Sequence, residues 1–328
     1  MRKMANEASV LEVRHVFKDY RIAGEKTLFS QTFHAVEDIS LEIRQGETFG
    51  VVGESGCGKS TLARLMVCLE KPTSGEVYFQ GTRVDQMPEG QLRRLRPKFQ
   101  MVFQDSGSSL NPRKRVQDIL REPMLYHGIG KRTQIDQRVD EFLEMVGLPV
   151  EMKDRYPHAF SGGQRQRICI ARALSLNPEV IVLDEPVSAL DVSVQAQILN
   201  LLRELQKKLG LTYVFIGHGL GAVHYVSHRI AVMYLGRIVE YGTSDDIFDH
   251  PAHPYSKALL DAAPVADLHA RDRVRSSLKG EMDETPPSGA CPLFNRCPNA
   301  QPACRTFENI MREVSPGHFA VCDRAREE

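Results

Sequence analysis

Two kinds of apolar pattern share the first 260 or so residues. Val10 to Val16 and Ile39 to Ile43 alternate apolar with polar positions, which predicts strands buried on one face. Thr48 to Val52 and Val180 to Leu183 are continuously apolar, the pattern of strands covered on both faces. Elsewhere the period lengthens. Val194, Ile198, Leu201, Leu202, Leu205 and Leu209 recur so that they share one helical face, with Gly210 as the stop and Thr212 to Ile216 as the next strand. Repeated strand-helix-strand units predict an α/β core around a parallel sheet, with ligands at the carboxyl ends of its strands. Ser74-Gly75-Glu76 and Leu235-Gly236-Arg237 read as turns between antiparallel partners.

Past residue 260 the periodicity fades. Residues 263 to 290 hold Pro264, Pro286, Pro287 and Gly289 with few bulky apolar side chains, which predicts an irregular linker. The expected division is a nucleotide-binding domain over 1–262 and a linker with a carboxyl-terminal extension over 263–328. Composition narrows the function classes. Lys plus Arg and Asp plus Glu number 42 each, so no bulk charge draws the chain to a polyanion, and a nucleic-acid partner is not expected. With 42% hydrophobic and 26% charged residues, the chain can bury a sizeable core. The first ten residues carry no signal core, and no apolar run reaches the roughly 18 residues of a membrane span. Any membrane work is therefore expected of partner chains.

Gly53-Glu54-Ser55-Gly56-Cys57-Gly58-Lys59-Ser60 fits the phosphate-loop pattern and lies between a predicted strand and a predicted helix, where the chemistry needs it. Glycines let successive N–H groups turn inward as an anion nest, and the following helix adds partial positive charge beneath it. Lys59 is then placed for the β- and γ-phosphates of ATP and Ser60 for Mg²⁺, with Thr61 as a further phosphate donor. Cys57 occupies a variable position and reads as a small tolerated side chain. Far downstream, the strand Val180 to Leu183 runs into Asp184 and Glu185. At a strand's carboxyl end Asp184 can hold Mg²⁺ through water, and Glu185 can polarise the attacking water as general base.

Between these stands Ser161-Gly162-Gly163-Gln164-Arg165-Gln166-Arg167, a second anion cradle at a helix start with Ser161 as cap. Here the chain resembles the ATP-binding subunits of ABC transporters, over roughly residues 8 to 265. The resemblance implies a nucleotide-binding domain with a parallel sheet core, an antiparallel β subdomain and a helical subdomain, plus a small irregular cysteine-rich extension. It implies an ATPase whose Ser161 to Gln164 signature faces the phosphate loop of a second, related ATPase subunit, so that two ATP molecules lie between two chains. Tyr20 resembles the aromatic that stacks on adenine, and Gln104 the glutamine that senses Mg²⁺, attacking water and a transmembrane partner. Ser188-Ala189-Leu190-Asp191 resembles the loop linking paired sites, with Asp191 as its acid, and His218 the switch histidine near the γ-phosphate. One departure stands out: Gly217-His218-Gly219-Leu220 replaces the usual Ser-His-Asp-Leu. Losing a cap and a carboxylate predicts a less firmly held histidine, with hydrolysis surviving at a reduced rate.

Ser109 to Arg113, Pro186 to Gln195 and His253-Pro254-Tyr255 are similar to the dipeptide/oligopeptide importer branch, with nickel, haem and glutathione importers as neighbouring readings. That branch implies two transmembrane permease subunits, an extracytoplasmic substrate-binding protein, and a place on the cytoplasmic face of the membrane. A rival from another class is a soluble ABC-type ATPase acting on nucleic acid, and neutral charge weighs against it. Cys291, Cys297, Cys304 and Cys322, separated by five, six and seventeen residues, offer four soft thiolates for Zn²⁺ or an iron-sulfur cluster. Zinc usually draws on close Cys-x-x-Cys pairs, which are missing. The resemblance adds that peptide importer ATPases carry such a segment with a [4Fe-4S] cluster.

Overall fold

The computed structural model describes residues 9–22, 31–262, 278, 280 and 289–322. The alternating segments become β1 (Ser9–Ile22) and β2 (Gln31–Arg44), an antiparallel pair. The first continuous segment is β3 (Thr48–Val52), buried throughout, and the phosphate loop joins it to α1 (Lys59–Met66). There follow β4 (Ser74–Phe79), β5 (Thr82–Arg83), α2 (Glu89–Leu95) and β6 (Phe99–Val102). A helical stretch holds α3 (Ser106–Ser109), α4 (Val116–Tyr126), α5 (Arg132–Met145) and α6 (Gly162–Leu174). Strands and helices then alternate through β7 (Val180–Asp184), α7 (Val192–Leu209), β8 (Thr212–Gly217), α8 (Leu220–Val226) and β9 (Arg229–Tyr234). The remaining elements are β10 (Arg237–Thr243), α9 (Ser244–Asp249), α10 (Pro254–Ala262), β11 (Arg312–Ser315) and β12 (His318–Ala320).

Among the described residues the strands form two sheets. One is antiparallel in the order β2-β1-β4-β5; the other runs β11-β12-β10-β9-β3-β8-β7-β6, with β6 to β9 parallel by way of β7, β8 and β3. The continuous apolar runs now have their reason. Val180 and Val182 of β7 join the core between the sheets, while Ile181 and Leu183 join the core on the other face, against the helical layer. Val214 and Ile216 divide from Tyr213 and Phe215 of β8 in the same way. A strand covered on both faces has no position for a polar residue until it leaves the sheet. The order β3-β8-β7 therefore brings the phosphate loop, His218 and the Asp184-Glu185 pair to one sheet edge.

One expected turn is a strand. Ser74-Gly75-Glu76 opens β4 and pairs with β1, whereas Leu235-Gly236 does turn between β9 and β10. Gly75 lies at φ +94°, and a Cβ there would sit 2.2 Å from the His15 carbonyl oxygen, so the glycine serves a close strand approach at an irregularity of β1. The extension also adds something the sequence pattern did not announce. After an irregular cysteine segment, β12 pairs with β10 and β11 with β12. Its anchor is fully buried Glu240, whose carboxylate meets His318 Nε2 at 2.7 Å and accepts the Ala252 and His253 amides at 2.7 and 2.8 Å. Such compensation lets a carboxylate lie in the core. Among the described residues no helix is long and apolar enough to cross a membrane.

Candidate functional site

The phosphate loop is held from inside the chain. Gly58 stands at φ +105° as it enters α1, and a Cβ there would lie 2.0 Å from the Ala35 carbonyl oxygen, so only glycine fits the turn. Ser55 and Gly56 are exposed at the crest, while Gly53, Cys57 and Lys59 are buried. Lys59 Nζ donates to the Gly53 and Glu54 carbonyl oxygens, each at 2.8 Å, and lies 3.7 Å from Cys57 Sγ. Its charge therefore rests on the loop's own carbonyls at the place where phosphate oxygens would take over. Burial raises the Cys57 thiol above its ordinary range, in keeping with an inert side chain. The Glu54 amide donates to the Tyr255 hydroxyl at 2.8 Å, and the Glu54 carboxylate is gripped by both Nη atoms of Arg296 at 2.8 and 3.0 Å.

Beside the loop, Ser60 Oγ donates to Asp184 Oδ1 at 3.0 Å. Burial, ahead of neighbouring Glu185, raises the Asp184 carboxyl above its usual range, which marks a group waiting for positive charge. Hydroxyl and carboxylate are hard oxygen donors, and this pair fits Mg²⁺. Bound with a nucleotide, the ion supplies positive charge at the β- and γ-phosphates. The Gln104 amide donates to Glu185 Oε2 at 2.8 Å, and His218 Nδ1 lies 3.3 Å from the same oxygen.

Glu185 itself is at φ 47°, a conformation that costs a non-glycine residue about 1–3 kcal/mol. Its neighbours fix it there. The Glu185 amide donates to the Ile216 carbonyl at 2.9 Å, and its own carbonyl accepts the Ser188 amide at 3.3 Å and hydroxyl at 3.1 Å. The result is a carboxylate turned out of the strand line toward Gln104 and His218. His218 is half exposed, and α8 begins at Gly219 with no side-chain cap, as the two glycines predicted.

The other predicted residues are spread around this edge. Tyr20 donates its hydroxyl to Glu70, and Lys18 Nζ lies 5.2 Å from its ring centre. Burial, then Glu70, raises the Tyr20 phenol, while the Thr61 hydroxyl opposes that shift, so Tyr20 and the loop helix are in touch. Ser161 caps α6, its Oγ accepting the Gln164 amide at 3.3 Å while Gln164 Oε1 accepts the Ser161 amide at 3.0 Å. Ser161 is exposed, and Gly163 is buried below it. Asp191 caps α7 by accepting the Val194 amide at 2.9 Å, and that bond with the Ser193 hydroxyl holds its carboxyl below the usual range.

Comparison with known proteins joins these pieces. A family model described as ABC transporter matches residues 36–188, and one described as Oligopeptide/dipeptide transporter, C-terminal region, matches residues 239–304. Oligopeptide transport ATP-binding protein AppF of Bacillus subtilis (strain 168) is 46% identical over 325 residues, covering 97% of this chain and 98% of its own. The chain belongs to the ATP-binding proteins of the ABC transporter family. Putative oligopeptide transport ATP-binding protein YkfD of the same organism is 50% identical over 304 residues, 92% of this chain and 91% of its own. Among solved structures, the ATP-binding cassette MJ0796 in a dimeric post-hydrolysis state with ADP and Pi aligns with a TM-score of 0.64 at 30% identity, over 71% of this chain and 98% of that one. The expected fold and ATPase class are thereby borne out.

In this ABC ATPase the four late cysteines line one cavity of about 60 Å³ together with His253, Leu293 and Phe294. Burial first, then the other three cysteines, pushes the Cys291 thiol up to about 11. Four soft donors fit an iron-sulfur cluster in kind. Even so, no group of three or more metal-ligating side chains is gathered closely enough to hold an ion among the described residues. Sequence reading missed two functional contacts altogether: Arg296 on Glu54, and Tyr255 on the Glu54 amide. Tyr255 was visible only as part of a pattern, and the one signal for Arg296 was an arginine set among cysteines.

Proposed function

We propose that this ABC ATPase powers a membrane importer of di- and oligopeptides, working from the cytoplasmic face of the cell membrane. Glu185 carries the hydrolytic part of the reading: a carboxylate in a costly backbone conformation, aimed by Gln104 and His218, beside the Ser60-Asp184 pair. Such an arrangement suits a general base on the water that attacks the γ-phosphate. A related second ATPase subunit lends Ser161 to Gln164 across the seam, and the closing and parting of the pair is the mechanical output. Tyr20 stacks on the base, Asp191 relays between sites, and His218 is the switch near the γ-phosphate. Residues 1–262 form the motor and 263–328 the appendage.

The partners are two permeases, with an extracytoplasmic substrate-binding protein acting through them. Near Gln104 a groove of about 750 Å³ is lined by Leu69, Phe103, Pro123 and Tyr126, with Leu69, Phe103 and Tyr126 exposed. An apolar groove of this size suits a short helix of a permease. The peptide cargo is supported by the printed names of the relatives and by the matched carboxyl-terminal region. In the appendage, Cys291, Cys297, Cys304 and Cys322 take a [4Fe-4S] cluster that draws the four thiols together. Liposomes holding the assembled complex are expected to accumulate short peptides only with ATP; uptake of nickel chelate, haem or glutathione in their place would overturn the cargo. Anaerobic purification should yield about four irons per chain, and stoichiometric zinc without iron would overturn the cluster.

A further inference from the structure

The appendage touches the motor at the phosphate loop. Arg296 is the residue before Cys297, in a turn tied by the Arg296 and Cys297 amides, which donate to the Leu293 carbonyl at 2.9 and 2.7 Å. That turn is joined to the rest of the cysteine segment by the Cys291 amide, which donates to the Cys304 carbonyl at 2.8 Å. From it the guanidinium crosses to Glu54 and takes both carboxylate oxygens, with its side chain only 9% exposed. Its carbon lies 5.8 Å from the Tyr234 ring centre, Tyr234 packs on Tyr255 at 4.6 Å, and the Tyr255 hydroxyl accepts the Glu54 amide. Glu54 is thus gripped by backbone and side chain, by two partners that lean on one tyrosine.

The charge of Glu54 makes this grip matter. The next residues form the nest for a triphosphate, and a free carboxylate at the nest's edge would repel it. A bidentate arginine cancels that charge and fixes the peptide whose carbonyl also holds Lys59. We propose that Arg296 is a positioning residue for nucleotide binding, neutralising Glu54 so that the cysteine segment sets the loop's readiness for MgATP. The inference rests on residues 53–60 being the triphosphate loop and goes beyond that reading, since it ties a residue of the appendage to the affinity of the motor.

Binding of a fluorescent MgATP analogue to the full chain, with KM and kcat of the assembled complex, tests it. Arg296→Met is expected to raise Kd and KM about tenfold, the effect of about 1.4 kcal/mol, with kcat at saturation unchanged. Arg296→Lys keeps the charge and recovers part of the loss. In a Glu54→Gln background the further exchange Arg296→Met is expected to change Kd by less than about threefold, because no charge is left to cancel. Unchanged Kd in Arg296→Met overturns the proposal, and so does an equally large loss from Arg296→Met in the Glu54→Gln background. Should Arg296→Met fail to fold, Arg296→Gln takes its place, with the same expected rise in Kd and an unchanged Kd again overturning the proposal. Lys59→Ala is the control: if it binds the analogue like the parent, it is the loop assignment that has failed.

Discussion

The phosphate loop and the signature turn are both anion cradles at helix starts, yet the chain treats them in opposite ways. The loop is satisfied from within: Lys59 on two carbonyls, the Glu54 amide on Tyr255, the Glu54 carboxylate on Arg296. In the signature turn Ser161 is exposed, and the Ser161 and Gln164 side chains each accept the other's amide across the first turn of α6. One cradle is finished by folding, and under the proposed function the other is completed by a second ATPase subunit. Under that proposal the work divides: affinity is set in the core, and control of turnover at a seam.

Glu185→Gln gives the largest test of that division. If the loop half is complete in one chain, removing the base leaves MgATP affinity within about threefold while kcat falls by about 10²–10⁴. Nucleotide binding by the isolated chain and phosphate release by the complex measure the two arms. Undiminished turnover would take the base assignment away, and lost binding would merge the two halves.

Acid should undo the loop half first. Buried His253 accepts the Tyr255 amide on Nδ1 at 3.1 Å, which requires a neutral ring, and burial lowers its pKa to about 4. An unfolded histidine titrates near 6.5, so between these values the unfolded chain binds a proton that the folded chain refuses. Stability is intact above about pH 6.5 and is lost by about 3 kcal/mol as pH falls to 4. Urea unfolding at pH 7 and pH 4 reads this. His253→Asn, whose amide oxygen can accept from Tyr255 without titrating, should flatten the dependence, and an equal loss in the variant would assign it elsewhere.

Ser161→Ala sharpens the other side. Losing the α6 cap costs about 1 kcal/mol of stability in the isolated chain, with MgATP affinity unchanged. Under the proposed function the lost hydroxyl would face a charged phosphate in the assembled complex, a bond of about 1.5–3 kcal/mol, so turnover should fall by tenfold or more. Equal kinetic loss in both settings would mean that the turn serves its own helix alone.

The same contrast explains what could be read in the sequence. Residues 53–60, and Asp184 with Glu185, were legible because each follows a continuously apolar strand, and Ser161 to Gln164 through its resemblance to the family's signature. The grip on Glu54 was not, since Arg296 lies 242 positions away and no local period connects them. Gly75 misled for a related reason. A glycine's φ > 0 serves a turn or a close strand approach equally well, and only the position of His15 decides which. The hairpin of β11 and β12 was hidden because its strands are four and three residues long, too short for alternation to rise above chance.

The smallest effect concerns the switch, where this chain departs from its family. Gly219 begins α8 in an extended conformation, at φ −84° and ψ 102°, with no side-chain cap, and a Cβ there would meet nothing within 4 Å. Asp therefore fits at no steric cost. Gly219→Asp should add a few tenths of a kcal/mol by capping the helix, read as a small rise in urea midpoint. It also sets a carboxylate next to His218, whose hold on Glu185 is a 3.3 Å contact from a half-exposed ring. A rise in turnover of about twofold, near 0.4 kcal/mol in the barrier, would show that the glycines loosen the histidine. Unchanged turnover with the stability gain would show that Glu185 and Gln104 alone set the geometry of attack, and the switch would then belong with the finished half of the molecule.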